Sequence, residues 1–355
     1  MARPRILYLY SNSSTFVRKD IAFLGRHFPI QHREFRAKGA LKLLWMLVRQ
    51  FFYLLGKLPR TEVIFVMFGG YHALLPAVLG RLFGKRVYII LGGTDCVSFP
   101  SINYGTFRKP LQGRFACRAY RSAHRLIPVH ASLMEREDQY YRHPADPPRQ
   151  GAYAFCSGLR EKTPFTAIHN GYDPTKWEVN PAQKQPRTFI TVAAITDPSK
   201  LVLKGIDLIA EVAPAFPDCT FVVVGFLIEP SPELKDIPNL QLDPFVSPEE
   251  LRERYARAEF YLQLSVSEGF PNAISESMLA GCIPIGSRVA GIPDIVGDTG
   301  LLLDQRDPAR LTTLLTEALA LPDKEGRRRA ARQRITTHFH LEKREQAYLE
   351  LVRGT

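Results

Sequence analysis

Short apolar runs of strand length alternate along this chain with longer segments of helical periodicity, and this alternation limits the fold more than any other feature. The runs are predicted as strands at residues 5–10, 63–68, 86–91, 125–129, 188–195, 219–224, 260–264 and 283–286. Strands that are apolar throughout and separated by helices indicate parallel sheets covered on both faces. Two rounds of this pattern in 355 residues predict an α/β protein with two Rossmann-like domains.

The same pattern predicts where the domains divide. Residues 142–165 are rich in Pro, Arg and Gly, which is typical of a surface loop between regular elements. We therefore predict a first domain over residues 1–170, a second over residues 171–337 and a separate C-terminal helix over residues 338–355.

Positive charge is concentrated near the N-terminus. Residues 1–60 contain twelve Lys or Arg against Asp20 and Glu34, which places ten of the chain's twelve net positive charges there. Such asymmetry indicates an anionic partner, such as nucleic acid, an anionic membrane surface or a phosphorylated substrate. Residues 41–55 are strongly apolar with cations in and around them, a pattern typical of an interfacial membrane helix and too short to span a bilayer. A core helix of the first domain is the alternative.

The cysteines and acidic residues argue against a metal or disulfide framework. The five cysteines are Cys96, Cys117, Cys156, Cys219 and Cys282, and their odd number and wide spacing fit a reducing cytoplasm. No Asp-x-Asp motif occurs. We therefore predict no metal and no other cofactor.

A strand–loop–helix segment at residues 260–280 predicts an anion site. The predicted strand leads into a loop with Gly269 and Pro271, and we expect a helix to begin there with Asn272 as its N-cap. The backbone N–H groups of Ala273 and Ile274 would be free in the first helical turn, where the helix dipole also favours an anion.

Charged residues near this turn predict a sugar and a phosphate as ligands. Glu268 and Glu276 lie on either side of the turn, and a carboxylate can accept hydrogen bonds from two vicinal hydroxyls. A solvated loop acid and a helix N-terminal acid are the alternatives. Lys204 is expected to open a helix after an earlier strand, where it can neutralise a diphosphate or simply lie on the surface. A nucleoside-diphosphate sugar contains both the vicinal hydroxyls that a carboxylate can bind and the diphosphate that a lysine can neutralise.

These residues resemble the retaining glycosyltransferases of family 4, which have the GT-B fold of two Rossmann-like domains with parallel sheets facing across a cleft. The resemblance extends from His169 to Leu302 and includes Lys204-Gly205 and the two acids. It implies an acceptor-side first domain, a donor domain, and a last helix that returns to the first domain. It further implies that Glu268 contacts the donor sugar, Glu276 the ribose and Lys204 the diphosphate, and that the donor pocket includes Gly269, Phe270, Pro271, Asn272, Asn170 and Gly171.

Some positions depart from the family pattern. The Arg that usually precedes the Lys-Gly pair is missing, and Lys200 is the predicted substitute. Asp95 stands at the carboxyl end of a strand, where the family often has His. We predict that Asp95 contacts a substrate sugar and is catalytic together with Glu268 and Lys204. The alternative is that Asp95 is a helix N-cap. Further candidates on the acceptor side are Ser11, Asn12, Ser13, Arg18 and His72.

The predicted activity is transfer of a sugar, with retention, from a UDP- or GDP-sugar to a hydroxyl of a lipid-linked or cell-envelope glycan, without a metal. The expected setting is bacterial polysaccharide or glycolipid synthesis in the cytoplasm, at the inner face of the membrane, with an anionic surface contacted near residues 41–55. A nucleotide-sugar 2-epimerase of the same fold is one alternative. A basic nucleic-acid-binding protein is the other, although no nucleic-acid-binding module is found and nucleic acid is not the predicted partner.

Overall fold

The computed structural model describes residues 3–37, 39–177 and 183–354. The chain forms two compact units. The first comprises Met1–Glu137, Ala145–Asn170 and Glu342–Thr355, and the second comprises Asp138–Pro144 and Gly171–Leu341. Residues 138–144 therefore depart from the contiguous first domain that the sequence predicts, because they belong to the second unit.

The first unit is built on a parallel sheet. Its strands are β1 Ile6–Tyr10, β2 Ile30–Glu34, β3 Val63–Met67, β4 Arg86–Leu91 and β5 Arg125–Pro128, and its order is β2-β1-β3-β4-β5. The helices between and after them are α1 Thr15–His27, α2 Ala40–Lys57, α3 Tyr71–Leu82, α4 Pro110–Ser122, α5 Ala152–Phe155 and α6 Leu159–Lys162. Every residue of β1 and β3 is buried, because helices cover both faces of the sheet.

Residues 142–165 are more regular than a surface loop. Strand β6 Arg136–Glu137 pairs antiparallel with β7 Arg149–Gln150, and α5 and α6 follow. A disulfide joins Cys117 in α4 to Cys156 just after α5. The prediction that no disulfide forms is therefore wrong. The two cysteines are 39 residues apart in sequence, and only the packing of α5 against α4 brings them together.

The second unit is also built on a parallel sheet. Its strands are β8 Gln185–Ile195, β9 Thr220–Phe226, β10 Leu240–Pro244, β11 Ala258–Gln263, β12 Ile283–Ser287 and β13 Leu301–Leu303, in the order β10-β9-β8-β11-β12-β13. Its helices are α7 Ser199–Lys204, α8 Ile206–Val212, α9 Pro232–Lys235, α10 Pro248–Arg257, α11 Asn272–Leu279, α12 Ile292–Val296, α13 Pro308–Leu319 and α14 Lys324–His338. The eight strands predicted from apolar runs are all confirmed.

The last helix, α15 Leu341–Arg353, belongs to the first unit from Glu342 onward. Its Arg344 forms a bidentate ion pair with Asp20 of α1, with Nε–Oδ1 and Nη2–Oδ2 distances of 2.8 and 2.7 Å. Both side chains are almost completely buried, at 3% and 0% exposure. The Arg344 guanidinium also donates to the carbonyls of Ile168 and His169. A buried charge needs such a complete set of partners, so this pair fixes α15 to the first unit.

Candidate active site

The loop after β11 is held in place by backbone hydrogen bonds from other parts of the second unit. The N–H of Val266 donates to the Leu203 carbonyl at 2.9 Å, and the N–H of Gly291 donates to the Gly269 carbonyl at 3.1 Å. The loop residues around Val266 are buried. Glu268 lies in this fixed loop, four residues before the first residue of α11.

The start of α11 differs in one detail from the sequence prediction. The N-cap is Pro271, and Asn272 is the first helical residue. The Asn272 side chain instead accepts a hydrogen bond from the Tyr172 hydroxyl at 3.0 Å. No side chain caps this helix, so the N–H groups of its first turn, which include those of Ala273 and Ile274, have no partner within the helix and suit an anion.

Lys204 and Glu268 meet directly in the second unit. The Lys204 Nζ and Glu268 Oε1 atoms are 2.5 Å apart, and the side chains are 24% and 14% exposed. Lys204 is the last residue of α7, and the helix predicted to open at Lys204-Gly205 begins at Ile206 as α8, with Gly205 as its N-cap. Gly205 follows with a φ of +71°, and a Cβ there would lie 2.4 Å from the Leu264 carbonyl oxygen. Only glycine lets α7 approach the loop closely enough for this ion pair.

Glu276 lies in the second turn of α11 and is half-buried. The charge of the Glu276 carboxylate acts on the hydroxyl of Tyr261, a buried residue of β11. Burial raises the pKa of the Tyr261 hydroxyl well above its usual value, and the charges of Glu268 and Glu276 raise this pKa further. The two carboxylates therefore act on the same side chain near the carboxyl end of β11.

Gln263 is a site residue that the sequence analysis missed. Its Nε2 donates to Glu268 Oε1 at 3.3 Å, and its Oε1 accepts from the Tyr261 hydroxyl at 3.1 Å. Gln263 thereby links the core of the sheet to Glu268. A buried amide as the last residue of an apolar strand was the available signal, since such a group needs hydrogen-bond partners.

Lys200 lies one helical turn before Lys204 on α7. Its Nζ is 4.0 Å from the Asp197 carboxylate. Residues four apart lie on the same face of a helix, so Lys200 and Lys204 share a face. Its role as a substitute for the missing Arg stays a prediction.

The remaining donor-side candidates are buried parts of the framework. The Phe270 ring packs edge-on against Phe339 with their centroids 5.0 Å apart, which fixes the backbone before Pro271. Asn170 is 8% exposed and is the last residue of its segment of the first unit, while the buried Gly171 begins a segment of the second. Their contact with a donor stays a prediction.

Asp95 is buried in the first unit and is surrounded by hydrogen-bond donors. Its Oδ1 accepts from the N–H groups of Gly92 and Gly93, each at 3.0 Å, and its Oδ2 accepts from that of Gly69 at 2.9 Å. Burial raises the pKa of the Asp95 carboxyl, and these backbone hydrogen bonds oppose the rise. A Cβ at Gly69 would lie 1.8 Å from the Tyr120 hydroxyl. This geometry favours Asp95 as a positioning residue for the loops after β3 and β4; its contact with a sugar stays a prediction.

His72 in the first turn of α3 is also buried. Its Nε2 lies 2.8 Å from the carbonyl of Met67, so Nε2 carries the proton and donates. Burial lowers the pKa of the imidazole, while the hydrogen bond to Met67 opposes this. His72 is therefore neutral in the folded protein near neutral pH.

A pH titration of stability tests this state of His72. Because the folded pKa lies below the unfolded value of about 6.5, the unfolded chain takes up this proton first as the pH falls. The contribution of the neutral His72 imidazole to the free energy of unfolding is fully present above its unfolded pKa. This contribution is lost as the pH falls through the folded pKa of His72. In urea unfolding at mildly acidic and mildly basic pH, we expect the native chain to lose more stability on acidification than His72→Gln. Equal losses would contradict a neutral buried imidazole.

The other acceptor-side candidates lie where β1 ends and α1 begins. Ser11 is half-buried, whereas Asn12, Ser13 and Arg18 are exposed. This is the carboxyl edge of the parallel sheet, where ligands of open α/β sheets bind. Among residues 3–37, 39–177 and 183–354, no cluster of three or more His, Cys, Asp or Glu could hold a metal ion; metal independence stays a prediction.

Residues 186–320 match the family model of "Glycosyl transferases group 1". These residues form a group 1 glycosyltransferase domain. The group 1 domain contains β8 to β13, with Lys204, Glu268 and Glu276. The chain is also similar to a phosphatidylinositol N-acetylglucosaminyltransferase subunit of Arabidopsis thaliana. The two sequences are 28% identical over 177 residues, which is 46% of this chain. The similarity to trehalose synthase of Thermococcus litoralis covers 47% of this chain, also at 28% identity. The matches span only 38% and 44% of those two relatives.

Solved structures resemble the whole chain, including the part before the group 1 domain. Sucrose-phosphate synthase from Thermosynechococcus elongatus has a TM-score of 0.75 at 13% identity and 99% coverage of both chains. Anabaena HepE in complex with UDP and glucose has a TM-score of 0.73 at 15% identity, covering 99% of this chain and all of that chain. These similarities and the two parallel sheets confirm the predicted GT-B fold class.

Proposed function

We propose that the chain is a retaining glycosyltransferase that moves a sugar from a UDP- or GDP-sugar to a hydroxyl of a lipid-linked or cell-envelope glycan without a metal. The observation that carries the proposal is the Lys204–Glu268 ion pair at 2.5 Å, immediately before the uncapped start of α11. The cation and the free N–H groups suit the diphosphate of a sugar nucleotide, and the carboxylate suits its sugar hydroxyls.

We propose that a bound donor separates the two groups of this ion pair. In the proposed complex, Lys204 exchanges Glu268 for the diphosphate, which also accepts hydrogen bonds from the first turn of α11. Glu268 is then free to accept from hydroxyls of the sugar, while Gln263 keeps it in place. Glu276 accepts from the ribose hydroxyls. Anabaena HepE, which has a similar fold, is described in complex with UDP and glucose, and this supports a nucleotide-sugar donor.

The proposed reaction proceeds on one face of the sugar. The bond between the anomeric carbon and the diphosphate oxygen breaks, and a bond from the acceptor oxygen to the same carbon forms. The acceptor's proton passes to the leaving phosphate. Lys204 and the helix N-terminus stabilise the negative charge that develops on the leaving group, which is the part of such a reaction where fixed donors have the largest effect.

An exposed apolar face on α2 supports an acceptor at a membrane. This face consists of side chains three or four residues apart that are between 37% and 85% exposed: Leu41, Leu44, Trp45, Val48, Phe51, Phe52 and Leu55. The opposite face is buried, and there Gln50 donates to the His72 carbonyl at 2.8 Å. In the part of the chain that the structure describes, no helix is long and apolar enough to cross a bilayer. We propose that the exposed face of α2 lies on an anionic membrane surface.

The proposed location is the cytoplasmic, inner face of the cell membrane. The apolar face of α2 and the cations around it support the membrane part of this proposal, because anionic lipids attract basic segments. The Cys117–Cys156 disulfide removes the support that the scattered cysteines gave to a reducing cytoplasm, so the proposed location rests on the basic, apolar helix α2 alone.

A donor screen with Glu276→Ala tests the function. Thermal shift of the native chain with UDP-, GDP- and ADP-sugars should identify a donor that raises the melting temperature, since a ligand stabilises the state that binds it. In Glu276→Ala we expect the affinity for that donor to fall about 10- to 100-fold, because a hydrogen bond to a charged group contributes about 1.5–3 kcal/mol.

Glu317→Ala is the matched control, because Glu317 is an exposed acid of α13 in the same unit. It should bind the donor like the native chain. A screen in which no nucleotide sugar raises the melting temperature, or in which the two variants bind equally well, would contradict the proposed function.

A further inference from the structure

Three cations cluster around an aromatic pair beside the exposed face of α2. The rings of Phe35 and Tyr53 are in edge contact with centroids 5.6 Å apart. The Arg33 guanidinium lies 4.8 Å from the Tyr53 ring, Arg49 lies 5.9 Å from the Phe35 ring, and the Lys57 ammonium lies 5.9 Å from the Tyr53 ring. These contacts hold positive charge along one flank of α2, next to the edge strand β2.

This flank ends in a cavity of about 430 Å³ at the C-terminal end of α2. The cavity is lined by the start of β1, the start of β2, the last two residues of α2 and the residues that follow this helix. Its charged lining residues are Arg5, Lys57 and Arg60, and its polar ones include Gln31 and Thr61. A cavity of this size lies within the range of small-ligand sites.

The three cavity cations have no carboxylate partner. Among the residues that the structure describes, none of Arg5, Lys57 and Arg60 forms an ion pair within 4.0 Å. The nearby acid Glu62 accepts from the Arg5 backbone N–H at 2.6 Å. The C-terminus of α2 contributes about half a negative charge, which offsets only part of three positive ones. The cavity therefore keeps a net positive charge even when Glu62 and this half charge are both counted.

The position of the cavity relates it to the membrane face of α2. Leu55, the last residue of the exposed apolar face, is 37% exposed and immediately precedes Gly56 and Lys57, which both line the cavity. A helix that lies on a bilayer buries its apolar face at the boundary between acyl chains and headgroups. The cavity then stands at the level of the headgroup phosphates.

We propose that the cavity bounded by Arg5, Lys57 and Arg60 binds the phosphate group of an anionic membrane lipid. This inference rests on the membrane clause of the proposed function and adds a headgroup site to it. The apolar face supplies area for binding to the bilayer, and the cavity makes that binding selective for lipids with an accessible phosphate. Arginine and lysine donors converging on one cavity are suited to such a group.

Flotation with vesicles and calorimetry with a soluble headgroup test the site. The vesicles contain phosphatidylcholine with phosphatidylglycerol, and the soluble probe is glycerol 3-phosphate. For Arg5→Gln/Arg60→Gln we expect vesicle affinity to fall about 25-fold, because each of the two cations near an anionic membrane contributes about fivefold. We also expect probe binding to be lost. For Trp45→Ser/Phe52→Ser we expect vesicle binding to be lost and probe binding to remain.

Arg114→Gln/Arg118→Gln is the matched control, because these exposed arginines of α4 give the same change in net charge. It should bind both the vesicles and the probe like the native chain. Equal loss of vesicle affinity in the two arginine double variants would show a uniform charge effect and overturn the site. Probe binding that disappears in Arg5→Gln/Arg60→Gln while vesicle affinity is unchanged would assign the cavity to a free phosphate ester and overturn the lipid. Donor binding reports on residues of the second unit, so either result is distinguishable from failure of the proposed transferase.

Discussion

Lys204→Met is expected to lower kcat/KM for sugar transfer about 100- to 1000-fold, the range found when one fixed donor to a developing negative charge is removed. The Lys204 ammonium lies 2.5 Å from Glu268, which stands four residues before the first residue of α11. Methionine keeps most of the aliphatic chain and removes the charge. The expected loss therefore comes from leaving-group stabilisation rather than from a change in packing.

Lys235→Met is the control for this prediction. Lys235 also pairs with a glutamate, Glu229, but it lies on the surface of the second unit and is 49% exposed. Its variant should retain native kinetics. The assay is steady-state release of nucleoside diphosphate with the donor found in the screen. If Lys204→Met retained native kcat/KM, the lysine would have no part in the reaction.

Arg344→Met is expected to destabilise the first unit by about 3–5 kcal/mol, because it leaves the buried Asp20 carboxylate without its cation. Asp20 is 0% exposed, and its carboxylate also accepts hydrogen bonds from the hydroxyl of Tyr8, at 3.2 Å, and from that of Tyr348. Hydrogen exchange of peptides from β1 and β3 measures the opening of this unit separately from the second. The change should appear as faster exchange throughout both strands.

Arg26→Met is the matched control on the same pair of helices. Arg26 of α1 pairs with Glu345 of α15 at 2.6 Å, but its side chain is 62% exposed. An exposed pair contributes about 0–1 kcal/mol. The double variant Asp20→Asn/Arg344→Met should lose less than the two single changes added together, since it leaves no buried charge. Equal effects of Arg26→Met and Arg344→Met would contradict the role given to burial.

Local pattern predicted the strands of both sheets wherever a strand is covered on two faces. It missed β2, β10 and β13. In β2, whose sequence is IQHRE, four of the five residues are exposed, and β10 and β13 likewise lie at sheet edges. An edge strand need not be apolar throughout, so its sequence lacks the signal that marks a central one. The arginine-rich helix α14 was missed for a similar reason, since only Ala331 and Ile335 are buried along it.

The residues of the candidate site were more predictable than the contacts they make. The strand–loop–helix frame, Glu268 and Lys204 followed from local sequence and from the resemblance. The ion pair between them depends on residues 64 positions apart, and the role of Gln263 depends on which buried groups surround it. Local sequence favours Asn272 as the N-cap of α11, but its side chain instead accepts a hydrogen bond from Tyr172. Local sequence cannot show this contact, because Tyr172 is 100 residues away. Contacts of this kind arise from packing, which no local pattern contains.

A crystal structure of the chain with the nucleotide sugar selected by the donor screen tests the central claim most directly. We expect the diphosphate to accept hydrogen bonds from the N–H groups of Ala273 and Ile274, with Lys204 moved from Glu268 to a phosphate oxygen. Glu268 should then contact a hydroxyl of the sugar. A diphosphate bound elsewhere, with the Lys204–Glu268 ion pair unbroken, would contradict the account.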